Sequence, residues 1–152
     1  MDHWMLFLPF VALLSSCAKE VDAGRKAARE RIAPGRIRIM DIRMNGTVAR
    51  NEFGNKADRL TLYNPGSELL LEEGRWFLSD DSEGYPLKFE LPELLLPAGS
   101  RIDIWCDGEN VWSEEIHANF ALSPKDGSVV LYYSFKGAPL AVSHILLSAQ
   151  PE

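Results

Sequence analysis

From Ile37 to Leu147 the sequence alternates short β-prone runs with turn signals, and no stretch carries a sustained apolar pattern of helical period. Ile37 and Ile39 share one parity, and Ile42 and Met44 the other. A change of parity inside one strand predicts a bulge near Met40-Asp41. Arg59–Tyr63, Leu87–Leu91 and Arg101–Cys106 alternate. Leu69–Leu71, Trp76–Leu78 and Asn119–Ser123 are shorter runs. Ser128–Phe135 is strongly β-prone, and Ala141–Leu147 closes the series. Asn45-Gly46, Asn64-Pro65-Gly66, Pro97-Ala98-Gly99, Asp107-Gly108, Asp126-Gly127 and Lys136-Gly137 supply the turns between them. Seven to nine short strands at regular spacing predict an all-β antiparallel sandwich or barrel.

The body that holds these strands, residues 36–150, is long enough to bury a core without covalent staples. Its one cysteine, Cys106, has the parity of Ile102 and Ile104, which places it on the core face as an inert thiol.

Several segments resemble the lamin tail domain, in chain order. Ile39-Met-Asp-Ile42 is similar to its opening strand, and Asp58 with Leu60-Thr-Leu-Tyr-Asn-Pro-Gly66 to its D-x-I-x-L-Y-N-P-G segment. Trp76-Phe-Leu-Ser-Asp-Asp81, Leu95-Leu-Pro-Ala-Gly99 with Ile102-Asp-Ile104, Asn119-Phe-Ala-Leu-Ser123 and Val130-Leu-Tyr132 continue the likeness. The chain departs from the pattern at Arg59 and Thr61, where the family often has Trp and Glu, and at Arg75, where it usually has Gly. The resemblance implies an immunoglobulin-like antiparallel β-sandwich. It implies binding or tethering in place of catalysis.

The N-terminus gives an address. Trp4–Leu14 is an apolar run of 11 residues, against about 20 for a spanning helix. It fits the core of a signal peptide, although Met1-Asp2-His3 brings no Lys or Arg. Leu14-Ser15-Ser16-Cys17 resembles the lipobox of bacterial lipoproteins position by position. That likeness implies a signal peptide at 1–16, a lipid on Cys17, and attachment to a membrane of the cell envelope on its exported side. Lipoprotein cysteines carry two or three acyl chains, and one chain alone holds only marginally. Residues 17–35 read as a tether ended by Pro34-Gly35.

Charge is unevenly divided. Ala18–Arg43 holds eight Lys/Arg and four Asp/Glu, while Met44–Glu152 holds eight basic and 17 acidic residues. An acidic body repels phosphate, the main source of nucleic-acid affinity, so nucleic acid is not an expected partner.

No phosphate loop, nucleophile elbow or metalloprotease helix is present. His117 and His144, the only histidines beyond the signal segment, read as satisfied structural residues. Asp80-Asp81-Ser82-Glu83-Gly84 is the densest acidic stretch, and hard oxygens in a flexible turn suit Ca²⁺. The resemblance instead explains Asp80 and Asp81 as turn formers, leaving Asp80, Asp81 and Glu83 as weak metal ligands. Trp112, an apolar ring in the acidic loop Asp107–Glu115, and Tyr132, in a strand apolar on both faces, are the candidate partner contacts. The sequence thus leads to a non-enzymatic, membrane-anchored binding or scaffold module. It needs no cofactor beyond the lipid on Cys17, and its expected partner is an envelope protein. A module for Ca²⁺ or a glycan is the second reading, and a hydrolase the third.

Overall fold

The computed structural model describes residues 37–44 and 50–147, all within one compact unit, Ala33–Glu152. Cys17, the expected signal segment and tether, and the expected turn at Asn45-Gly46 lie outside the described residues. No helix among the described residues is long and apolar enough to cross a membrane.

The described residues form an all-β sandwich of eleven strands, β1 (Arg38–Arg43), β2 (Asp58–Tyr63), β3 (Leu69–Leu71), β4 (Trp76–Ser79), β5 (Phe89–Glu90), β6 (Leu94–Leu96), β7 (Arg101–Cys106), β8 (Val111–Trp112), β9 (Ile116–His117), β10 (Ser128–Phe135) and β11 (Ala138–Leu146). A five-stranded sheet runs β1-β2-β7-β9-β8, a four-stranded sheet β11-β10-β4-β5, and β3 pairs with β6 as a separate ribbon.

The bulge expected in β1 is present: the register with β2 shifts between Ile39 and Asp41. Because the extra residue resets parity, Ile39 and Ile42 are both buried, opposite Leu62 and Leu60. Those two leucines stand opposite Ile102 and Ile104 across β7. From the second sheet, Trp76, Leu78, Val129 and Leu131 are fully buried, with Leu78 opposite Leu131. Burying each such side chain contributes about 1.5–3 kcal/mol, so these positions hold the two sheets together. The Ile39 amide also donates to Ser143 Oγ at 3.0 Å, tying β1 to β11.

Two turns are fastened by one side chain. Asn64, fully buried, donates from Nδ2 to the carbonyls of Ser67, Leu96 and Pro97 and accepts from the Gly66 amide. The Asn-Pro-Gly segment therefore clamps its own turn to the Pro97–Gly99 turn. Lys136 and Gly137, both at positive φ, form the two-residue hairpin loop between β10 and β11.

Three sequence expectations need correction. Asn119–Ser123 is not a strand; only Ala121 forms a bridge, to Asp107. Three short strands, β6, β8 and β9, bring the number to eleven. The large sheet is not wholly antiparallel, since β7 and β9 run parallel. The chain leaves β7 through Asp107-Gly108, runs back as β8, and returns as β9 into the gap between them.

Candidate functional site

The hairpin of β8 and β9 ends the five-stranded sheet, and its short strands offer few ladder hydrogen bonds. Side chains from the 50–57 loop and the end of β7 hold it instead. Gly108, at φ +76, makes the reversal that leaves Asp107 facing β9. His117 is fully buried. Its Nδ1 lies 2.5 Å from Asp107 Oδ2 and its Nε2 3.0 Å from Glu52 Oε1. Phe53, half-exposed, stacks on the imidazole with ring centroids 4.8 Å apart.

The hairpin turn is bound to the same loop. The Glu52 amide donates to Glu115 Oε1 at 2.5 Å, and the Glu115 amide donates back to Glu52 Oε2 at 3.2 Å. Ser113 Oγ donates to Glu52 Oε1, and the Trp105 indole donates to Glu115 Oε2 at 2.7 Å. Asn51, nearly fully buried, gives Nδ2 to Asp107 and takes the amides of Phe53 and Asn55 on Oδ1. The loop is thus folded around Asn51 and carries Glu52 to the hairpin.

These contacts fix the charges. Burial alone would push the His117 imidazole down, but hydrogen bonding and charge from Asp107, and then from Glu52, outweigh it and hold the group above its ordinary value. Glu52 is held below the usual carboxylate value. The Ser113 hydroxyl is the main cause; burial opposes it, and His117 and the Glu115 amide add to it. His117 therefore sits between carboxylates that favour its protonated form. Ser113 donates to Glu52 and not to His117, so no hydroxyl here is poised as a nucleophile by the imidazole.

Val111 and Trp112 form the outer strand of this hairpin, and both are exposed, Trp112 at 48%. Trp112 borders a cleft of about 360 Å³ shared with Pro92, Leu94, Ile102, Glu114 and Ile116. On the other side of the charged cluster, Asn51, Lys56, Asp58, Asp107 and Glu109 line an open polar cleft of about 540 Å³.

The other sequence candidates lie apart. Tyr132 is buried, at 8% exposure, in β10 between β4 and β11, and does not form an exposed aromatic row. Asp80 pairs with Lys88 Nζ at 2.7 Å. Asp81 accepts from the Gly84 amide and closes its own turn, while Glu83 is exposed. These are turn interactions, and among the described residues the potential metal-ligating group is Glu52, Glu115 and His117 instead. His144 is exposed on β11, so the expectation of a satisfied interior residue describes His117 only. Cys106 is buried with Ile104, and burial, reinforced by nearby acids, pushes its thiol up. Ile102, of the same parity, is half-exposed because it borders the Trp112 cleft.

Sequence reasoning missed Asn51, Glu52, Asp107 and Glu115. The one local signal is Glu115-x-His117, whose spacing of two puts both side chains on the same side of a strand. No protein-family model matches the chain, and no curated protein does.

Proposed function

We propose that this protein is a non-enzymatic binding module that holds a protein partner along the outer edge of β8. Its place would be the cell envelope, with a lipid on Cys17 anchoring it on the exported side of a membrane. The likeness to the lamin tail domain supports binding over catalysis, and the lipobox-like Leu14–Cys17 supports the anchor. The carrying observation is that Val111 and Trp112, both exposed, form an edge strand with no further strand beside it in the sheet among the described residues. An edge strand presents unpaired amides and carbonyls to an incoming extended segment, and Trp112 supplies the apolar contact that anchors one. Asp103, Glu114 and Glu115 border the adjoining cleft, so the fitting partner presents an extended apolar segment flanked by Lys or Arg.

Crosslinking in membranes tests this with four forms of the full chain: native, Cys17→Ser, Trp112→Ala and Tyr85→Ala, the last at an exposed residue of a different loop. The expected result is one partner, joined through a segment of that chemistry to residues 111–116. It is retained by Tyr85→Ala and lost with Trp112→Ala or Cys17→Ser. A partner captured equally by Trp112→Ala overturns the edge-strand surface. Capture unaffected by Cys17→Ser overturns the need for an anchor.

A further inference from the structure

We propose that Glu52, Glu115 and His117 bind one divalent transition-metal ion of the zinc type, a site that goes beyond the capture of a protein partner. The donor atoms of the three residues all lie within 4.8 Å of one another. They combine an imidazole nitrogen with two carboxylates, a donor set that suits zinc better than the all-oxygen sites of calcium or magnesium. Ligands on one tetrahedral ion at about 2.0–2.1 Å are about 3.3 Å apart. His117 Nε2 and Glu52 Oε1, at 3.0 Å, already stand near that spacing. Glu115, half-exposed in the turn between β8 and β9, has to swing inward by about an ångström or more to join them.

The surroundings are those that a metal-binding histidine has elsewhere. Asp107 holds Nδ1 at 2.5 Å and fixes the plane of the ring, so Nε2, which faces Glu52 Oε1, is the nitrogen that a metal takes, with release of its proton. The carboxylates are oriented too, Glu115 by the Trp105 indole and Glu52 by the Ser113 hydroxyl. Charge points the same way. Three carboxylates converge on one imidazole, and among the described residues no Lys or Arg forms an ion pair with any of them. Apart from His117, only neutral donors meet them: the Ser113 hydroxyl, the Asn51 amide, the Trp105 indole and backbone amides. A bound dication answers that acidic excess. Three protein ligands leave a fourth tetrahedral position open to water or to a donor from a partner.

Calorimetric titration of the full chain, stripped with chelator, tests the site with Zn²⁺, Ca²⁺ and Mg²⁺ as separate probes. The native protein is expected to take up one Zn²⁺ and to bind it more tightly than either other ion. Glu115→Gln, which keeps an acceptor for the Trp105 indole, is expected to weaken zinc by more than tenfold. Asp107→Asn is expected to weaken it by about 10–100-fold, and Glu83→Gln, in the exposed turn at Asp80–Gly84, to leave it unchanged. Near-ultraviolet circular dichroism confirms that each variant is folded. Absence of zinc binding by the native protein, equal binding by folded Glu115→Gln, or calcium binding as tight as zinc overturns the assignment.

Discussion

Two acidic regions of this chain have opposite characters. Asp80–Gly84 is continuous in sequence and looks like a ligand loop, yet its groups are spent locally. Asp80 pairs with Lys88, and Asp81 accepts from the Gly84 amide. Glu52, Asp107 and Glu115 are scattered over 63 positions, yet they converge on the fully buried His117. In the first region Asp81 and Glu83 lie exposed to water, which screens them, while Asp80, 9% exposed, is neutralised by its own Lys88. The second removes charge from water and has to compensate it internally. Density of acids along a chain therefore says little about a site, whereas convergence of acids on a buried imidazole creates an electrostatic demand.

The sharpest way to break this comparison is to remove the imidazole. In metal-free protein His117→Leu leaves Asp107 and Glu52 without their shared partner. It is expected to destabilise the domain by about 3–5 kcal/mol, read from the urea midpoint. A loss below about 1 kcal/mol would put the cluster in the class of exposed ion pairs. The β8–β9 hairpin should lose amide protection first, since Ser113 and Glu115 are held to the 50–57 loop through Glu52.

A smaller effect follows from pH, again in the presence of chelator. The folded state holds His117 above its ordinary value of 6.5, so it keeps a proton that the unfolded chain has released. The stabilisation is complete below about pH 6.5 and fades as pH rises through the folded value. Glu52 acts in the opposite sense. It is held below its ordinary 4.5, so its contribution is present above about that pH and is lost on acidification. Stability should therefore be greatest between about pH 4.5 and 6.5 as far as this cluster governs it. His117→Leu should flatten the alkaline decline. Native stability that rises from pH 6 to 8 would contradict the upward shift of His117.

The same contrast explains how much could be read from the sequence. Strands with alternating or long apolar runs, such as Arg101–Cys106 and Ser128–Phe135, are legible to the residue, and so is the bulge at Ile39/Asp41. Two-residue strands are not. Val111-Trp112 and Ile116-His117 have no period of their own and exist because the hairpin fills the sheet beside β7. The Asp80 turn was visible because its partners are neighbours in the chain. The His117 cluster was not, because Glu52 reaches it across 65 positions through a loop folded around Asn51, and no local pattern encodes that closure.

The smallest effect belongs to the turn. Asp80→Asn removes the charge opposite Lys88 while keeping a side chain of the same shape. Lys88 is 28% exposed, and its ammonium also lies 5.6 Å from the Phe120 ring, so the cation keeps water and an aromatic face after the change. Asp80 is 9% exposed, but the asparagine still offers Lys88 an oxygen, so the expected cost is about 0.5–1.5 kcal/mol, measured as the shift of the same urea midpoint, and 0.5 M salt should shrink it because solvent reaches the Lys88 side of the pair. The buried cluster should respond to the same salt far less, since little solvent reaches His117. Combining Asp80→Asn with His117→Leu makes the comparison quantitative. Asp80 and Asp107 both act on the buried Cys106 thiol, but neither Asp80 nor His117 is among the other's hydrogen-bond or ion-pair partners, so the two losses should add within about 0.3–0.5 kcal/mol. A larger coupling would mean that the two acidic regions share a field, and that the turn at Asp80 belongs to the electrostatics of the buried site.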